Sequence, residues 1–172
     1  VPVYCGSATL LWGIADLLDG VRDTFPSYTD KSEERLADGG TVEIQPGGPA
    51  NLFVFKTVSD PFVGKMSFFK VMNGSLRRDA VMKNAKSGAN EKMAHIYTVR
   101  GKTQTEVDEL ACGDIGMIAK LTNTNTNDTL CGAAPVMYSP VVYPNSYMTQ
   151  AIMPLAKGDE GKISQSIAKM LE

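Results

Sequence analysis

The stretch DPFVGKMSFFKVMNGSL, Asp60 to Leu76, decides how this chain of 172 residues is read. A turn signal opens it at Asp60-Pro61 and another closes it at Asn73-Gly74, so the residues between them read as strand. Met66, Phe68, Phe69, Val71 and Met72 alternate there with Lys65 and Lys70. Successive side chains of a strand point to opposite faces, so the run can bury an apolar face and present cations on the other. Lys65 and Lys70 stand five apart, and a regular strand sends them to opposite faces unless a bulge or Gly64 bends it.

Outward from this stretch the same texture continues. LFVFKTV, KMSFFKVM, DAVMKN, KMAHIYTV, GDIGMIAKL and DTLCG read as short strands across residues 51–137. Turn formers separate them at Asp60-Pro61, Asn73-Gly74, Ser87-Gly88, Arg100-Gly101 and Asn123–Asn127. KMAHIYTV reads as a single strand, with Met93, His95, Tyr97 and Val99 sharing a face. Regular short strands with such punctuation predict a closed barrel.

The flanks differ. Val1 to Cys5 reads as a buried strand entering a Gly-Ser loop, and Ile14, Leu17, Leu18, Val21 and Phe25 recur at helical spacing before Pro26. Residues 28–50 carry no apolar period and end in QPGGPA, the composition of a linker. Beyond Val141, SYMTQAIM predicts a strand, Pro154 ends it, and Ile163, Ile167, Met170 and Leu171 mark one helix face. Each flank is half of an α/β unit. The expected boundaries are therefore 1–27, 28–50, 51–137 and 138–172, in a chain taken from a longer protein.

Composition narrows the class. With 43% hydrophobic and 21% charged residues the chain is ordinary globular material. No run approaches the roughly 18 apolar residues of a membrane span, so no membrane partner is expected. Cys5, Cys112 and Cys131 are odd in number and far apart, which predicts reduced thiols, as in a cytoplasmic protein, rather than disulfides or a metal centre. Net charge is −2, yet Lys56 to Lys102 holds ten basic against three acidic residues. A local excess of that kind points to an anionic partner.

Catalytic constellations are missing. His95 is the single histidine, and no nucleophile–base set assembles around it. Asp60, Asp114 and Asp128 each stand beside a turn residue, where Asp side chains bond nearby backbone. Gly101-Lys102-Thr103 imitates a phosphate loop but has Ile96 where that motif needs glycine. CGSAT, at the end of the first predicted strand, is placed where open α/β folds bind ligands.

Together these pieces resemble the translation elongation factor G family. VPVYCGSA and GIADLLDGVRDTFPS are similar to the end of its GTP-binding domain. FKTVSDPFVGKMSFFKVMNGSL, EVDELACGDIGMIAKL and TNDTLCG follow its second domain, and VVYPNSYMTQAIMPLAKGDEGKISQSIAKML the opening of its third, ferredoxin-like domain. The resemblance implies a mainly β fold, a translation-factor-type β-barrel flanked by α/β fragments. It also implies a parent GTPase using GTP and Mg, with Ser7 and Ala8 at the guanine. The implied partners are the ribosome, through small-subunit rRNA, and the chain's own GTP-binding domain. Lys65, Lys70, Arg77, Arg78 and Lys83 are the candidate phosphate contacts. No catalytic or metal-binding residue is expected in this chain. Three departures, Asn127 for glycine, Arg77-Arg78-Asp79 in a turn and Met153 before Pro154, suggest a diverged paralogue. A ribosomal protection or release-type factor with the same barrel, or a stand-alone barrel binding module, are the alternatives.

Overall fold

The computed structural model describes residues 1–133 and 135–171. They divide into two units, Val1–Ser32 and Glu33–Glu172. In the first, the helical spacing forms α1, Ile14–Thr24. The strand expected at 1–5 does not form; a single bridge between Ser7 and Trp12 is the pairing there. No described segment offers Val1–Cys5 a ladder, and an unpaired strand leaves its N–H and C=O groups without partners. Tyr4 lies instead against Gly20 of α1.

The second unit opens with a hairpin that the linker reading of 28–50 did not anticipate. β1, Glu33–Arg35, pairs antiparallel with β2, Thr41–Glu43, across Asp38-Gly39-Gly40. Its outer edge is clasped by residues after the barrel. Ala37 N donates to Met137 O at 2.9 Å and Ser139 N to Arg35 O at 3.0 Å. Between them Tyr138 is buried, meeting Phe53 edge-on with centroids 6.5 Å apart. Burial pushes its phenol up to about 12.

The barrel strands follow in order: β3 Asn51–Asp60, β4 Gly64–Asn73, β5 Leu76–Arg77, β6 Val81–Asn84, β7 Asn90–Lys92, β8 Ile96–Arg100, β9 Thr103–Val107, β10 Glu109–Leu110, β11 Ile115–Ala119 and β12 Thr129–Cys131. Eight of them form one antiparallel sheet in the order β7-β6-β12-β3-β4-β11-β8-β9, and β5 pairs with β10. The sheet curls about one core. Leu52 and Val54 from β3, Phe69 and Val71 from β4, Met82, Ile96, Leu110, Ile118 and Leu130 are among its buried members. The alternation read from Asp60–Leu76 is realised: Ser67, Phe69, Val71 and Asn73 are buried, while Phe68, Lys70 and Met72 between them are half-exposed. One register shift, at Val54/Lys56, puts the extra residue on β3, and a second, at Asn51/Leu52, puts it on β4 at Met72, so β4 stays regular from Lys65 to Lys70.

Turn chemistry explains the connections. Asp60 Oδ1 accepts from Phe62 N and Val63 N, both at 2.8 Å. Asp114 Oδ2 accepts from Ala111 N and Asp128 Oδ2 from Asn125 N, each at 2.9 Å. All three aspartates thus close their own turns. Asn127 takes the left-handed conformation at φ 72°. Its side chain also grips Val141, Oδ1 accepting from Val141 N at 2.9 Å and Nδ2 donating to Val141 O at 3.1 Å.

Two expectations fail. His95 is not in mid-strand: β7 ends at Lys92, the chain bends, and β8 begins at Ile96. Met93 and Ile96 are both buried, so the two-residue alternation breaks over that bend. SYMTQAIM is not a strand either; residues 146–153 are exposed and unpaired in any ladder, and α2, Glu160–Leu171, follows. The three cysteines are free thiols, and burial pushes those of Cys112 and Cys131 up.

Ser67 is wholly buried between Thr57 and Ile118, and its hydroxyl has no hydrogen-bond partner among the described residues. Removing an unsatisfied buried hydroxyl removes a desolvation cost. Ser67→Ala is therefore expected to be neutral or to stabilise by up to about 1 kcal/mol, read from the urea midpoint.

Candidate nucleic-acid interface

The five cations singled out in the sequence come to rest in different surroundings. Lys70 projects from β4 on the face opposite the core, with Phe53 of β3 and Ile115 of β11 as its cross-strand neighbours. It makes no ion pair among the described residues. Lys65 stands on the other parity of β4, as the five-residue spacing demands. Gly64 adopts φ 86° as the first residue of the strand and does not bend it between the two lysines. At this end Lys65 passes the core, and its Nζ donates to Asn125 Oδ1 at 2.7 Å.

Arg77 and Arg78 meet carboxylates. Arg77 Nε lies 3.3 Å from Glu109 Oε2. Arg78 Nη1 lies 3.4 Å from both Glu106 Oε1 and Asp108 Oδ1. Glu106 is also 2.8 Å from His95 Nδ1. The His95 hydrogen bond, with Arg78 behind it, holds the Glu106 carboxyl below its ordinary value. Ser75 and then Arg77 do the same for Glu109, and Lys92 for Asp79. This turn is locally neutralised, and a compensated arginine attracts a phosphate less than a bare one does.

Lys83, exposed on β6, has no such partner among the described residues. With Lys86, which the sequence reading did not single out, it borders a depression of about 330 Å³. The only sequence hint for Lys86 was its position beside the Ser87-Gly88 turn. Another bare cation, Lys120, was missed as well. It occupies a left-handed turn at φ 67°, and its N–H donates to Lys65 O at 2.7 Å, so the backbones of the two lysines meet at one rim of the sheet.

The loop beside that rim, residues 122–128, is set by buried polar groups. Asn84 Nδ2 donates to Asn123 O at 2.8 Å and to Asp128 Oδ2 at 2.9 Å. Glu91 Oε1 accepts from Asn123 N at 2.6 Å and from Thr124 Oγ1 at 3.1 Å. Satisfied buried networks rigidify what they connect, so the rim is presented on a fixed frame.

In the first unit, Ser7 N donates to Trp12 O at 3.0 Å, and Ser7 Oγ accepts from Leu10 N at 3.2 Å. The hydroxyl is committed to its own turn, while Ala8 beside it is exposed.

An antiparallel sheet curled about one core, with bare cations on its outside, defines a mainly β fold of the translation-factor barrel type. A crystal structure of a Thermus thermophilus protein shares the fold with a TM-score of 0.72 and 22% identity, over 93% of this chain and 22% of that one. Residues 49–133 match the family model of elongation factor G domain 2. Over 175 residues the chain is 35% identical to Elongation factor G 2 of Desulfotalea psychrophila, covering 99% of this chain and 25% of that protein. Residues 49–133 thus carry the second domain of elongation factor G, and the chain is similar to that factor along nearly its whole length. It spans about a quarter of the length of the relatives it matches.

Proposed function

We propose that the chain is part of a ribosomal GTPase of the translocation type, acting in the cytoplasm. It would comprise the end of the GTP-binding domain at 1–27, a connection at 28–50, the barrel at 51–137 and the opening of a ferredoxin-like domain at 138–172. The barrel docks on small-subunit rRNA and packs on the protein's own GTP-binding domain. The similarity to elongation factor G supports the parent activity. The observation that carries the docking is the distribution of bare cations: Lys65 with Lys120 at the rim, Lys70 on the outer face, and Lys83 with Lys86 at the β6 turn. Cations held on a rigid sheet meet backbone phosphates without reading bases, which suits folded RNA.

GTP and Mg belong to the parent. The Ser7-Ala8 turn supplies one edge of a guanine pocket, and its exposed Ala8 is the part left open to a base. Among the described residues no three His, Cys, Asp or Glu side chains group as metal ligands. No chemical step is assigned to this chain's residues.

The test uses the intact protein that carries this chain. Its GTP hydrolysis should rise on adding ribosomes. Lys65→Glu with Lys120→Glu should weaken binding to small ribosomal subunits and lower the salt slope by about one unit per lysine. Arg77→Glu with Arg78→Glu should do less, because carboxylates already neutralise that turn. Unchanged affinity and slope in the rim variant would refute docking through the rim.

A further inference from the structure

A groove of about 440 Å³ opens between β8 and residues 119–121. Its size falls in the range of small-ligand pockets, roughly 300–1,000 Å³. Ala94, Ile118 and Leu121 give it an apolar floor, and Tyr97 and Gln104 stand in its wall. Glu91 also lines it, though only 6% exposed. The hydrogen bonds from Asn123 N and Thr124 Oγ1 to Glu91 Oε1, described above, fix that carboxylate in place. The other oxygen, Oε2, takes no hydrogen bond among the described residues. Lys120 is on the lip, joined through backbone to Lys65, while Lys92 on the opposite lip is held by Asp79 at 2.9 Å.

We propose that this groove receives one extruded, amino-bearing base of the bound RNA, an inference that rests on the barrel facing RNA. Single-stranded RNA is recognised by splaying out a base, stacking it on an aromatic ring and hydrogen-bonding its edge. Tyr97 provides the ring and the apolar floor excludes water. An ionised carboxylate only accepts hydrogen bonds. Glu91 therefore favours adenine or cytosine, which offer an exocyclic amine, or guanine, which offers N1–H beside its amine. Uracil brings two carbonyl oxygens flanking its one N–H and is disfavoured. Lys120 on the lip takes a phosphate beside the extruded nucleotide. Gln104, able to donate and accept, completes the base edge.

The experiment is fluorescence anisotropy of the full chain with labelled single-stranded decamers of A, C and U, each at several salt concentrations. The A and C decamers should bind several-fold more tightly than the U decamer, a comparison that needs no variant. Tyr97→Ala should lower affinity for the A decamer about tenfold, the order expected for one stacked base, and Tyr97→Phe should retain it. Glu91→Gln should narrow the gap between A and U. A melting curve for each variant separates lost binding from lost folding. Equal affinity for the three RNAs with an intact salt slope would overturn the groove and leave the rim's phosphate docking standing. No salt-dependent RNA binding at all would overturn the docking and the groove together.

Discussion

Replacing Phe69 with alanine is expected to destabilise the barrel by about 3–5 kcal/mol, through lost burial and the cavity left behind. Phe69 is fully buried at the centre of β4, paired to Val54 of β3 on one side and to Gly116 of β11 on the other. Gly116 is where the ring fits: a Cβ there would sit 2.8 Å from Phe69 Cζ. The two positions are therefore complementary, and alanine at 69 would leave a cavity above Gly116. Phe68, one residue earlier, faces the other way and is only half-buried. Phe68→Ala should cost clearly less. Guanidinium unfolding of both variants checks the pair; equal midpoints would mean that the inward parity of β4 is misassigned.

That parity was readable in the sequence because apolar residues and turn formers agree over Asp60–Leu76. β3, β6, β11 and β12 were readable for the same reason. β9 was not: TQTEV is exposed along nearly its whole length, and a polar edge strand carries no burial pattern. Its signal was the Arg100-Gly101 turn, which closes a hairpin with β8. The hairpin β1–β2 hid likewise, since in each strand only the middle residue is part-buried. KMAHIYTV misled because both Met93 and Ile96 enter the core, three apart, across a bend. The predicted flanking strands failed for another reason: a strand needs a partner, and pairing is not written in the strand itself.

The candidate interface was legible as charge and not as geometry. Arg77 and Arg78 were among the candidate cations, yet their partners Glu106, Asp108 and Glu109 lie some thirty residues on and come close only when β5 pairs with β10. Lys120 gave no hint of Lys65, because the contact between them is a backbone hydrogen bond across a turn.

The second large effect is expected at Gly74, where Gly74→Ala should cost about 2–5 kcal/mol, combining a left-handed backbone penalty with steric overlap. Gly74 adopts φ 64°, which an L side chain resists. A Cβ would also come within 2.7 Å of Pro49 C and 2.8 Å of Ala50 N, and would strike Gly48 O. Those atoms are backbone and cannot rotate away. They are held there by the turn itself: Gly74 N donates to Gln45 O at 3.1 Å, and the Asn73 side chain bonds Gln45 N and Glu43 O. Alanine would have to push this crossing off the barrel and break those bonds. Gly88 supplies the control, because it has φ 73° but open space around its missing Cβ. Gly88→Ala should lose only the backbone penalty, about 1–2 kcal/mol. Thermal melts of the two variants decide the matter: a shift at Gly74 no larger than at Gly88 would show that residues 45–50 yield freely, and that the clasp between the hairpin segment and the barrel is weak.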